Sequence, residues 1–227
     1  TKRPVAGIVS KVNIFDEVKV GETLLLSAEI DELDDKAVEY HGCAYVGTRK
    51  IFEIESAIGP MVAMDDMISQ SDVKAQFDNI FNLEQSNQVD FKSHLAASSS
   101  IINNPLIEFD NYQTMQKDQL CTAEKFINVN APYFADHFPL KPVLPLTILL
   151  GCKIQMAYHY LNEFYPSEKF KVNNVRKIKM SKFVEPGSTL QTQMKAKLKD
   201  SQLCFQFKSY AGEQRVCLCE VVFDRKP

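Results

Sequence analysis

The chain carries an internal repeat at a fixed spacing, and a chain that repeats a segment in this way is expected to build the same kind of unit twice. Val9-Ser-Lys-Val-Asn-Ile-Phe-Asp-Glu-Val18 lies over Val175-Arg-Lys-Ile-Lys-Met-Ser-Lys-Phe-Val184, with both valine ends in register and Lys11 on Lys177. The same shift brings Gly21, Thr23 and Leu24 onto Gly187, Thr189 and Leu190, and Asp34 onto Asp200. One deletion later, Tyr45 and Gly47 meet Tyr210 and Gly212. A unit repeated in this way rarely buries its apolar face alone, so the sheets of the two copies are expected to pair.

Both copies read as antiparallel meanders. In the second, apolar residues alternate through Leu190 to Ala196, Leu203 to Phe207 and Val216 to Val221, with turn residues at Pro186-Gly187, Asp200-Ser201 and Ala211-Gly212. The first repeats the scheme over 23–30, 37–46 and 50–57, with turns near Gly21, Asp34-Asp35 and Gly47-Thr48. Upstream of its strands the second copy adds a segment that the first lacks: a hairpin over 106–113 and 120–129, a loop, and a helix over 145–164 opened by Pro145. Apolar side chains point in nearly every direction around that helix, which must therefore be buried, as if wrapped by a curved sheet. The domain reading is a strand half-unit over 1–60, a connector over 61–104 and a complete unit over 105–227. Within the connector, 72–83 is an amphipathic helix, Ser98 to Ser100 reads as flexible, and no chemistry is visible.

Composition narrows the function. With 26 basic and 29 acidic residues spread along the chain, there is no cationic block to track nucleic acid. The apolar run from Val143 to Ile154 is too short and too interrupted to span a membrane. Cys43, Cys121, Cys152, Cys204, Cys217 and Cys219 lack paired metal-ligand spacing and read as small buried hydrophobes. Cys217 and Cys219 share one face of a strand, where a redox or metal pair is the minor alternative. Reduced thiols without a secretion signal fit the cytoplasm, although Thr1-Lys2-Arg3-Pro4 reads as a cut that could have removed a leader.

The loop before the helix reads Asn128-Val-Asn-Ala-Pro-Tyr-Phe-Ala-Asp-His-Phe-Pro-Leu-Lys-Pro-Val-Leu-Pro145. It resembles the signature of the 3-hydroxyacyl-(acyl-carrier-protein) dehydratases, through Asn130, Pro132, Phe134, His137, Phe138, Pro139, Pro142, Val143 and Pro145, with Gln155 matching a glutamine on the helix. That resemblance implies an α+β double hotdog, an antiparallel sheet around a long helix, with the first unit lacking its own helix in this sequence. It implies dehydration of 3-hydroxyacyl thioesters to trans-2-enoyl thioesters in fatty acid or polyketide-like synthesis. His137 then takes the base role, and the Leu146 amide holds the thioester oxygen. Phe134, Phe138, Pro139, Val143, Leu146 and Gln155 are the expected substrate-binding residues, with Tyr133 shaping the tunnel wall.

Base and helix start suit the chemistry, because an imidazole titrates near neutrality and a helix N-terminus stabilises enolate-like charge. A loop histidine bonded to backbone is the bland alternative for His137. Gly151 stands where the family places its acid, Asp136 replaces a glycine before the histidine and Leu146 one after the last proline. A carboxylate next to an imidazole favours its protonated form, so Asp136 must face solvent if His137 is a base. The family's site is shared between neighbours, so the acid is expected from a helix preceding Val9 or from a partner hotdog chain. A non-catalytic module that binds acyl chains or acyl carrier protein is the other reading.

No cofactor and no metal are expected, the substrate arriving on phosphopantetheine from acyl carrier protein or as acyl-CoA. The expected partners are that carrier or acyl-CoA, and a homodimer or partner chain, with no nucleic acid. Lys171, Arg176, Lys177, Lys179 and Lys182 are either a cationic docking rim or a solvated strand face. His41 and His94 read as surface groups, and His159 is placed to pair with Glu163 one turn on.

Overall fold

A computed structural model describes residues 2–85, 105–199 and 202–226. In the first copy the strands are β1 (Lys2–Pro4), β2 (Ile8–Ile14), β3 (Leu25–Leu33), β4 (Ala37–Val46) and β5 (Arg49–Ala63), followed by α1 (Gln70–Gln85). The second copy comprises β6 (Asn111–Thr114), β7 (Leu120–Phe126), α2 (Leu146–Phe164), β8 (Phe170–Met180), β9 (Thr189–Lys199), β10 (Gln202–Ala211) and β11 (Gln214–Arg225). All the described strands join one sheet in the order β3-β4-β5-β2-β8-β11-β10-β9-β7-β6, with β1 added alongside β5.

The repeat is visible in that order. From the centre outward, β2-β5-β4-β3 mirrors β8-β11-β10-β9, and the two copies meet at the antiparallel β2–β8 pair. Across this seam Val9 faces Ile178 and Val12 faces Val175. In the repeat Val9 corresponds to Val175 and Val12 to Ile178, so each residue pairs with the twin of the other. That exchange is the mark of a twofold axis through the seam. Turn chemistry repeats too. Gly47 and Gly212 hold φ at 57° and 58°, a left-handed conformation that suits glycine in a tight hairpin.

The second unit buries its helix as expected. α2 packs Leu149, Cys152, Met156, Ala157, Tyr160 and Leu161 against the sheet, where Val175, Met194, Phe205, Phe207, Val221 and Phe223 complete the core. Lys153 is also fully enclosed, its Nζ 3.0 Å from Cys217 Sγ. The first unit differs, because all nine positions of β3 are exposed whereas β9 alternates buried and open. Leu24 is 38% exposed and its twin Leu190 is 0%; Leu26 is 65% exposed and its twin Thr192 1%. Nothing like α2 covers the first sheet among the described residues.

Several expectations need adjustment. The first strand of the β6–β7 hairpin is shorter than 106–113, because residues 105–107 form a 3-10 turn. β5 runs on to Ala63, past the expected end at 57, because Lys2–Pro4 pairs with Met61–Ala63. The start of the connector is part of the structure: Met67 and Ile68 are buried against Phe138 and Val143, and the Leu140 N–H donates to the Met67 carbonyl. The helix there spans 70–85, longer than 72–83. His94 and Ser98 to Ser100 lie outside the described residues. The turn at Asp200-Ser201 does as well.

Candidate active site

The loop from Asn128 to Pro145 is held from three sides. A 3-10 turn over Pro132–Ala135, opened by its proline, brings the His137 N–H to the Tyr133 carbonyl at 2.9 Å. The Val143 N–H returns to the His137 carbonyl at 3.1 Å, and the Leu144 N–H donates to Val184. Below, Phe134 and Leu144 pack with Leu149 and Leu190, and Phe138 and Val143 pack on Met67 and Ile68.

This frame fixes the imidazole. Nδ1 of His137 lies 3.0 Å from the Val143 carbonyl oxygen. A carbonyl can only accept, so the Nδ1 position carries the hydrogen and, in the neutral ring, Nε2 keeps its lone pair. The ring stacks on Phe138 at 4.2 Å and 21°, and the Arg3 guanidinium sits 4.6 Å from the Phe138 centroid. The His137–Phe138 peptide is cis. Asp136 is exposed, as a basic role for the neighbouring ring requires.

His137 lines a cavity of about 460 Å³ with Phe138, Leu146, Thr147 and Leu150 at the start of α2. Pro145 caps that helix without a side-chain hydrogen bond, and the first N–H groups of a helix have no intrahelical partner. The opposite wall comes from the first unit: Arg3, Val9, Val12, Tyr40 and Ile54. The site is therefore shared across the twofold seam. Among the described residues that line it there is no carboxylate.

Of the residues expected from the sequence, His137, Phe138 and Leu146 come together in the cavity wall, and Val143 contributes through its carbonyl. Phe134 is buried behind the loop, with Tyr133 in edge contact at 4.6 Å, so the pair supports the loop and does not line the cavity. Pro139 is exposed and Gln155 half-buried, and neither lines the cavity. The wall from the first unit was missed. The repeat could have supplied Val9 and Val12, twins of Val175 and Ile178, whereas nothing in the sequence singled out Arg3 or Tyr40.

Gly151 reveals a further asymmetry. A Cβ built there would stand 2.9 Å from Cγ2 and 3.1 Å from Cβ of Ile107. Ile107, in the chain entering the second unit, thus leaves no room for a side chain at position 151. The expected pairing of His159 with Glu163 is also absent, since the His159 ring tilts against Tyr112 at 5.0 Å. His41 lies 2.9 Å from Asp31 and 3.3 Å from Glu29, which raises its pKa, the Asp31 hydrogen bond acting most strongly.

A sheet wrapped around one helix, repeated about a twofold and carrying an imidazole at the helix start, defines a double hotdog. The family model described as ApeI-like, ApeI dehydratase, matches residues 113–219. Among curated proteins, the 3-hydroxyacyl-(acyl-carrier-protein) dehydratase FabZ of Methylobacterium nodulans is 27% identical over 121 residues, covering 51% of this chain and 76% of that protein. The FabZ of Vibrio atlanticus is 29% identical over 119 residues, 51% of this chain and 79% of its own. A crystal structure from Lactobacillus plantarum, provisionally assigned as an oleoyl thioesterase, covers 100% of this chain and 77% of its own at a TM-score of 0.60 and 10% identity, which supports the fold alone. The second unit is thus similar to hotdog-fold dehydratases, over residues 113–219 in the match to the family model and about half of the chain in the curated relatives. No helix among the described residues is long and apolar enough to cross a membrane.

Proposed function

We propose that this chain carries a dehydratase half-site in which Nε2 of His137 removes the C2 proton of a 3-hydroxyacyl thioester. The observation that carries this reading is the hydrogen bond from Nδ1 to the Val143 carbonyl, which leaves Nε2 as the basic nitrogen of a ring that lines a largely apolar cavity. The thioester oxygen is held by the Leu146 N–H, where the helix start offsets the charge of the enolate-like state. As the C2–H bond breaks, C2=C3 forms and C3–O breaks, and the hydroxyl leaves as water with a proton from a general acid. The steps neither oxidise nor reduce the substrate, so no redox cofactor is called for. The acyl group arrives on phosphopantetheine, from acyl carrier protein or coenzyme A.

The acid comes from outside the second unit. Its place of attachment is the inner face of the first sheet, where Leu26 and Ile30 are 65% and 61% exposed. Support comes from the twofold: on the equivalent surface of the second unit lies α2, so a helix bearing a carboxylate completes the pair.

A second reading, an acyl-binding module without turnover, is favoured by the absence of a carboxylate among the described residues lining the cavity and by Ile107 filling the space at Gly151. One assay separates the two. In the full-length natural protein, hydration of a trans-2-enoyl thioester is measured for the wild type and for His137→Ala. The enzyme reading expects turnover that falls by about 10²-fold or more in the variant, with acyl binding nearly unchanged. Binding without turnover in the wild type overturns it in favour of the module.

A further inference from the structure

We propose that the surface groove between Lys141 and Lys182 is a phosphate subsite that receives the phosphopantetheine arm of the substrate. The proposal rests on the reading of the His137 cavity as an acyl-thioester site and names how its ligand enters. That cavity and a neighbouring groove of about 420 Å³ share Val5, Ala6, Met180 and Phe183 in their walls, so the two adjoin at these residues. On the groove side the character of the surface changes. Lys141, Ser181, Lys182 and Glu185 line the groove, all exposed, and Lys141 Nζ lies 5.6 Å from the Phe183 ring centroid.

Cations outnumber carboxylates there. Among the described residues Arg3, Lys141 and Lys182 form no salt bridge, whereas Arg176 and Lys177 are paired with Glu220. Glu185 is the one carboxylate in the groove wall, facing two lysines there and Arg3 in the adjoining cavity. Apolar cavity with its imidazole, shared wall and cationic groove lie side by side in that order. An acyl chain, a thioester, a neutral pantetheine linker and a phosphate follow one another in the same order along the ligand. Of the five cations that the sequence offered as a docking rim, only Lys182 lines this groove. Arg176 and Lys177 are bonded to Glu220 and Lys171 to the Phe15 carbonyl.

Calorimetric titration with ligands of one saturated acyl group, which leaves nothing to hydrate, tests the subsite. S-octanoyl phosphopantetheine should bind about tenfold more tightly than S-octanoyl pantetheine. That gain should vanish in the Lys141→Gln/Lys182→Gln double variant and shrink as salt is raised. Lys208→Gln, on a different groove, should leave it intact. Octanoyl-CoA and octanoyl carrier protein are run in parallel, and the tighter of the two identifies the carrier. Equal binding of the phosphorylated and unphosphorylated probes overturns the subsite but leaves the cavity standing. Failure of both probes to bind overturns the acyl-cavity reading itself.

Discussion

Glu220 shows how a single residue on the sheet ties two charges down. Its carboxylate accepts from Arg176 Nε at 2.9 Å, Lys177 Nζ at 3.0 Å and Gln206 Nε2 at 2.9 Å. Burial pushes its pKa up, but these three bonds together outweigh burial and bring it from 4.5 down to about 2. The folded-state value lies below the unfolded one, so the carboxylate contributes stability that is fully present above pH 4.5 and lost as pH falls toward 2. The contribution is on the order of 3 kcal/mol. Denaturant midpoints of the wild type and Glu220→Gln across this range should converge at the acid end, and a constant gap between them would contradict the assignment. His137 was legible in the sequence as a candidate base because a motif surrounds it. Its bland alternative, a loop histidine bonded to backbone, turns out to describe the same geometry, since the bond from Nδ1 to Val143 is what leaves Nε2 available. Glu220 was not legible, because its three partners come from β8 and β10 and only pairing brings them together.

At the scale of elements, α2 was readable from apolar residues on every side and from Pro145 at its start. Two of its positions were not. Lys153 breaks the apolar pattern, and only the packed structure shows it enclosed beside Cys217. Gly151 looked like a simple loss of an acid, yet the residue also permits the close approach of Ile107. Glycine within a helix costs about 1 kcal/mol relative to alanine, so Gly151→Ala on an open face would stabilise. Here the added methyl would press on Ile107, and the expected result is a loss of about 1 to 3 kcal/mol from overpacking. Adding Ile107→Ala to that variant should recover part of the loss beyond additivity in a double-mutant cycle. Strictly additive costs would show that the contact at 2.9 Å is not what excludes a side chain.

At the scale of the chain, the two copies of one sheet have unequal cover among the described residues, and the repeat alone implied that they pair. What the repeat left hidden is which face of the first sheet helps to form the site, because exposure depends on what packs there and not on the strand's own pattern. Leu24 and Leu190 make that difference measurable. They are the same residue at equivalent places, yet 38% and 0% exposed. Leu190→Ala should cost about 3 kcal/mol and Leu24→Ala under about 1 kcal/mol. Equal losses from the two would mean that the first sheet is covered as well as the second.

Ile107 also sets a stoichiometry. Under the proposed function the His137 cavity takes an acyl group, whereas a twin site that needed a carboxylate at position 151 would have to displace Ile107. A titration should therefore end at one acyl ligand per chain and follow a simple hyperbola, as for a vessel with two chambers and a single open door.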